Sequence, residues 1–207
     1  MQITKIIGLG DFSSNAYIVS SGEQAVLIDA PCEPEYIIEK LQGKKLAAIL
    51  LTHGHVDHIS AAAKIKELTG CKVYISQADS EMLTSSKKCL ADRFRQPFYP
   101  CEESISICDG DKLTFGDMTF NVITTPGHTQ GSACYMTEDF IFSGDTLFKQ
   151  SIGRNFGCSA YSTIIDSIAK LYKYNKNYIV LPGHGEETDL YSELEENPFL
   201  GELRTKL

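Results

Sequence analysis

Leu46-Ala47-Ala48-Ile49-Leu50-Leu51-Thr52-His53-Gly54-His55-Val56-Asp57-His58 joins a continuous apolar run to a histidine-rich loop. An unbroken run of this length reads as a strand buried on both faces. The loop places three imidazoles and a carboxylate within six residues, and packing alone does not account for that, because a polar ring costs free energy to bury unpaired. Residues two apart in an extended loop face the same way, so His53 and His55 can approach one cation together. Gly54 is expected to let the backbone bend between them. Asp57 and His58 come as the chain turns into a helix, and they can face a second cation.

The other two of the chain's five histidines repeat the theme. Pro126-Gly127-His128-Thr129 and Leu181-Pro182-Gly183-His184-Gly185 each follow an apolar run, and Ser143-Gly144-Asp145-Thr146 lies between them. His128 and His184 would each complete one site, with Asp145 placed to bridge. A catalytic zinc normally takes three protein ligands and keeps one position open. Five imidazoles and two carboxylates exceed that and fit two cations sharing a carboxylate and an activated water. Imidazole with carboxylate favours two divalent zinc ions, and iron or manganese accept similar sets.

Around these loops the pattern is of strands in runs with helices between them. Residues 3–7, 16–20, 25–29, 72–75, 113–115, 118–124, 132–136, 140–142 and 178–181 read as strands. Residues 34–41, 59–68, 77–83 and 161–172 read as helices, with Pro34 in a first turn and Gly70 as a stop. Residues 91–100, with Pro97, Pro100 and three aromatics, read as a surface loop over the site. No linker divides the chain, so residues 1–207 are expected to form one domain. The predicted class is an α/β sandwich, two packed sheets with helices outside, whose histidine loops converge at one end.

Composition narrows the partners. The net charge is −8, which disfavours nucleic acid as the main partner. No apolar stretch approaches the ~20 residues needed to span a membrane, and Met1 to Ser20 lacks an export signal. Seven cysteines without a C-x-x-C pair read as reduced thiols of a cytoplasmic protein.

In order and spacing, Thr52 to His58, Gly127-His128, Gly144-Asp145 and Gly183-His184 resemble the ligand motifs of the metallo-β-lactamase superfamily. Leu27-Ile28-Asp29 resembles its first motif. The resemblance implies a four-layer αββα sandwich with the metal site at one edge of the two sheets, in which His53, His55 and His128 hold one metal and Asp57, His58 and His184 the other, with Asp145 bridging and Asp29 supporting the histidine loop from behind. Gly144 to Phe148, Gly153-Arg154, Leu181 to Gly185 and Glu196 to Leu200 are similar to the short glyoxalase II (hydroxyacylglutathione hydrolase) group. That likeness implies thioester hydrolysis by a metal-bridging hydroxide, with a small-molecule thioester as substrate. Asp57 and Asp145 would serve catalysis, and Arg154 and, more weakly, Lys149 would contact a substrate carboxylate. The segment after His184 is too short for the helical extension that supplies glutathione contacts in full-length members. Two alternatives stand beside this reading: a mononuclear iron persulfide dioxygenase using His53, His128 and Asp145, and a lactonase.

Overall fold

Alternate residues of the apolar runs face different partners, and this alternation builds four layers. The computed structural model describes residues 1–8, 13–31, 33–156 and 161–205. The first sheet contains β1 (Gln2–Ile7), β2 (Asn15–Ser21), β3 (Gln24–Ile28), β4 (Lys45–Leu50), β5 (Lys72–Ser76) and β6 (Ile105–Ile107), in that order. Between them lie α1 (Pro34–Lys40), α2 (Val56–Ile59), α3 (Ala62–Thr69), a 3-10 helix (Gln77–Thr84) and α4 (Ala91–Phe94). The second half supplies β7 (Lys112–Phe115), β8 (Met118–Thr124), β9 (Ala133–Met136), β10 (Phe140–Gly144), a small hairpin of β11 (Leu147–Phe148) and β12 (Ser151–Ile152), and α5 (Tyr161–Leu171). It ends with β13 (Ile179–Pro182), β14 (Thr188–Asp189), α6 (Leu190–Glu196) and α7 (Gly201–Arg204). The second sheet runs β14-β13-β10-β9-β8-β7.

Leu27 of β3, Ile49 of β4 and Leu51 just after β4 pack toward Ile37 of α1 and Ile65 of α3. Their neighbours Val26, Ile28, Ala48 and Leu50 pack against Phe120, Val122, Tyr135 and Phe142 of the other sheet. The outer face of the second sheet, with Ile123, Met136, Ile141 and Val180, is covered by Ile164, Ile165, Ile168 and Leu171 of α5. This is the expected αββα order. Each fully buried Leu or Ile contributes roughly 1.5–3 kcal/mol of transfer free energy.

Two predicted helices differ in form. The one expected over 59–68 begins later, as α3 at Ala62, and Ile59 belongs to the separate turn α2, because Ala30, in the loop after β3, pairs with backbone on both sides of the break. Ala30 N–H donates to His58 O (2.7 Å), and Ala61 N–H donates to Ala30 O (3.0 Å). Residues 77–84 wind as a 3-10 helix rather than an α-helix. The 91–100 segment contains the single turn of α4, and β6, β11, β12, β14, α6 and α7 lie in stretches whose pattern was too short to read.

Among the described residues, no helix is long and apolar enough to cross a membrane. Cys71, Cys89, Cys101, Cys108 and Cys134 are free, while Cys32 and Cys158 lie outside the described residues.

Candidate metal centre

The loops bearing the sequence-predicted residues all leave strand ends on one edge of the sandwich. His53 and His55 follow β4, His128 follows β8, Asp145 follows β10 and His184 follows β13. Backbone bonds pin the two sheets together there. Ala133 N–H donates to Thr52 O (2.8 Å), and Asn15 N–H donates to Gly183 O (2.6 Å). Asn15 Nδ2 donates to Pro182 O (2.9 Å) and Gly185 O (3.0 Å), which holds the turn around His184.

Three of the candidate ligands, His53, His58 and His128, are oriented by a bond on the far side of the ring. His58 Nδ1 donates to Asp29 Oδ2 at 2.8 Å, so Nε2 faces the centre. Thr52 Oγ1 donates to the same carboxylate oxygen at 2.8 Å, which leaves its lone pair to accept from His53 Nδ1 at 3.1 Å. His128 Nδ1 donates to the Arg154 carbonyl at 2.7 Å. Asp29, immediately after β3, is buried and left-handed (φ 57°), a conformation that aspartate tolerates better than most residues. Outer partners of this kind fix ring tautomer and aim in metal sites.

The donor atoms converge in three overlapping groups: His53, His55 and His128; His53, His58 and Asp145; and Asp57, His58 and His184. Asp145 Oδ2 lies 3.3 Å from His128 Nε2 and 3.5 Å from His184 Nε2, while Oδ1 lies 3.4 Å from His58 Nε2. His58 Nε2 and His184 Nε2 are 3.3 Å apart, and Asp57 Oδ2 is 3.3 Å from His184 Nε2. Donors placed tetrahedrally at ~2.1 Å from a cation are ~3.4 Å from one another. His53 Nε2 and Asp145 Oδ1 are buried without a hydrogen-bond partner. Leaving such atoms unmet costs about 1–3 kcal/mol each, which a shared cation would remove. The donor set therefore fits divalent metal.

Protons balance the charge in the metal-free state. Burial, then the neighbouring imidazoles, hold His53 well below its ordinary value and His55 down to about 3. For His58 burial pulls downward, but Asp145, Asp57 and Asp29 outweigh it and hold the ring well above the ordinary value. Burial is likewise overcome at His184, which Asp145 and Asp57 push up to about 9. Burial of Asp145 would raise its carboxyl, yet His58, His184 and His53 hold it well below the carboxylate range. His58 and His184 thus carry protons at neutral pH, and a cation binding through Nε2 must displace them. Metal binding at pH 7 is expected to release protons, with affinity rising as pH increases toward about 9 for the His184 contribution. Calorimetric titration in two buffers of different ionisation enthalpy measures this, and a buffer-independent enthalpy would contradict it.

Above the centre opens a cavity of about 610 Å³. Leu90, Phe94, Phe148, Phe156 and Phe199 form apolar walls, and Arg154 lines it as well. The segment predicted to overhang the site therefore reaches it through Phe94. Lys149 is elsewhere. It is exposed, pairs with Glu186 at 2.6 Å and does not line the cavity, which leaves Arg154 as the lysine or arginine facing the cavity among the described residues. Gly54 is not left-handed. It is required by contact, since a Cβ there would stand 2.5 Å from Met82 Cβ. Asn15 and Phe156 carry no spacing signal in the sequence, although Asn15 opens β2.

Residues 9–184 match the metallo-β-lactamase superfamily. The chain belongs to this family. Its members are generally metal-dependent hydrolases, in keeping with the His and Asp groups here. The hydroxyacylglutathione hydrolase GloC of Haemophilus influenzae is 33% identical over 207 residues, covering 95% of this chain and 97% of the relative. Among solved structures, the B3 metallo-β-lactamase BLEG-1 superposes with a TM-score of 0.87 at 31% identity, covering 97% of this chain and all of the other. The di-iron-bound form of TTHA1623 gives 0.86 at 32% identity, covering 95% of this chain and all of the other.

Proposed function

We propose that this protein is a two-metal hydrolase acting on thioesters of the S-2-hydroxyacylglutathione type. The observation that carries the reading is Asp145, whose two oxygens face imidazoles of both ligand groups at the floor of the cavity. His53, His55 and His128 would hold one cation, and Asp57, His58 and His184 the other. When bound, such a pair supplies a hydroxide at neutral pH and a Lewis acid for the carbonyl. Zinc suits this donor set best, and iron or manganese accepts a similar one.

The chain's own residues account for the rest. Ser14 Oγ donates to the Asp57 carbonyl and fixes that turn, so Asp57 can orient the attacking water. The phenylalanines exclude bulk water from the reacting carbonyl. Arg154 is placed at the cavity wall to receive a substrate carboxylate. All five histidines are spent in the ligand groups, so none remains to protonate a leaving group. A thiolate, whose conjugate acid has a pKa of ~8.5, departs without that help, whereas an amide nitrogen does not. This favours a thioester over a β-lactam. The Asp57, His58 and His184 group favours two cations over the single iron of a persulfide dioxygenase. Similarity to GloC supports the same choice.

Turnover of S-lactoylglutathione by the metal-loaded protein should exceed turnover of a lactone, a β-lactam and a phosphodiester. Oxygen uptake with glutathione persulfide, or lactone hydrolysis without thioester hydrolysis, would replace this reading. Arg154→Ala should raise KM about tenfold, as expected for loss of a ~1.4 kcal/mol contact, with kcat and metal content unchanged. The substitution spares the carbonyl that receives His128. A fall in metal content would make Arg154 structural instead.

A further inference from the structure

Asp79 lies in the 3-10 helix Gln77–Thr84, away from every histidine motif, and is 1% exposed. Its Oδ2 accepts from Gly54 N–H (3.1 Å) and from Thr129 Oγ1 (2.7 Å). Its Oδ1 accepts from Gly131 N–H (2.8 Å). No lysine, arginine or histidine pairs with it in an ion pair among the described residues. Gly54 separates His53 from His55, and Thr129 is joined to His128. One carboxylate therefore ties together the two loops, one from each sheet, that carry the three-histidine group.

The fit is close on both sides. A Cβ at Gly131 would stand 2.6 Å from Asp79 Cγ, and one at Gly54 would stand 2.5 Å from Cβ of Met82 in the same helix. The helix thus sits directly on both loops. Burying a carboxylate is far costlier than burying an amide. The carboxylate suits the place because it is acceptor-only at both oxygens, and both are used. An asparagine would turn an NH2 toward one of these donors.

We propose that Asp79 is a positioning residue that sets the spacing between the His53/His55 loop and His128. It thereby sets metal affinity at the three-histidine group and leaves the Asp57, His58 and His184 group largely untouched. The proposal concerns metal binding and does not depend on which substrate the protein cleaves.

The test uses the full chain, stripped of metal and titrated with Co2+ against a competing chelator while visible absorption is followed. His184→Ala, which damages the other group, provides the reference spectrum of the three-histidine group. In Asp79→Asn the equivalent carrying that spectrum should bind about 10–100-fold more weakly, the range found for partners just outside a ligand set. The other equivalent should stay within a few-fold of the parent. Thr129→Val removes one of the three bonds and should show the same selective loss at smaller size, which keeps the test alive if Asp79→Asn does not fold. Parent-like affinity for both equivalents, or equal weakening of both, in the folded variants would overturn the proposal. A protein that hydrolyses no thioester would leave this result unaffected.

Discussion

Asp145→Ala should lose bound metal and hydrolytic activity together. The Asp145 carboxylate faces His58 with one oxygen and His128 and His184 with the other, at 3.3 to 3.5 Å. Together with Asp57, and with Asp29 at His58, it keeps the His58 and His184 rings protonated in the metal-free protein. Removing it deletes an oxygen donor facing both groups and a negative charge that would offset bound cations. The expected loss of metal affinity exceeds the ~100-fold that a residue outside the ligand set can cost. Asp145→Asn keeps the volume and one acceptor, so it should fold and retain part of the metal. Elemental analysis per chain, beside turnover, decides the matter. Full metal with no turnover would leave Asp145 a catalytic role only, and retention of both would place the centre elsewhere.

Gly153→Ala should be nearly as damaging, although Gly153 is no ligand. A Cβ there would fall inside the van der Waals envelope of the Asp145 carbonyl oxygen, and 3.2 Å from His128 Cβ. Backbone cannot swing aside as a flexible side chain can, so the hairpin of β11 and β12 must move. That motion carries Asp145 with it, and also the Arg154 carbonyl that orients His128. Overpacking of this kind costs about 1–3 kcal/mol. For a chain of this size each kcal/mol lowers the unfolding midpoint by roughly 2–4 °C. Metal content should fall as well. Gly201→Ala is the control, because nothing lies within 4 Å of its added Cβ. A Gly153→Ala protein with parental midpoint and full metal would show that the loop yields at no cost.

Much of the architecture was legible because burial leaves a period in the chain. The run Leu46 to Leu51 reads as buried on both faces, and β4 does pack helices with one face and the second sheet with the other. Gly70 ends α3 in a left-handed cap, as its position suggests. The break between α2 and α3 was not legible, because Ala30, remote in sequence, creates it. The α6 start was legible in principle. Asp189 accepts from Tyr191 and Ser192 N–H, an ordinary capping arrangement that a short apolar pattern obscured. Lys149 shows the limit for side chains, since its partner Glu186 lies across a loop and only the folded surface pairs them.

The chain alone determined which groups are available: five imidazoles and the carboxylates of Asp57 and Asp145, in loops that follow apolar runs. Donor chemistry belongs to the residue and needs no fold to be read. Only the tertiary structure decided which nitrogen of each ring faces inward, that Asp145 touches both groups, that Arg154 rather than Lys149 lines the cavity, and that Asp79 binds the two histidine loops together. Most of those facts are contacts between segments remote in the chain, some within one sheet and some across the two, and no local pattern encodes such a distance.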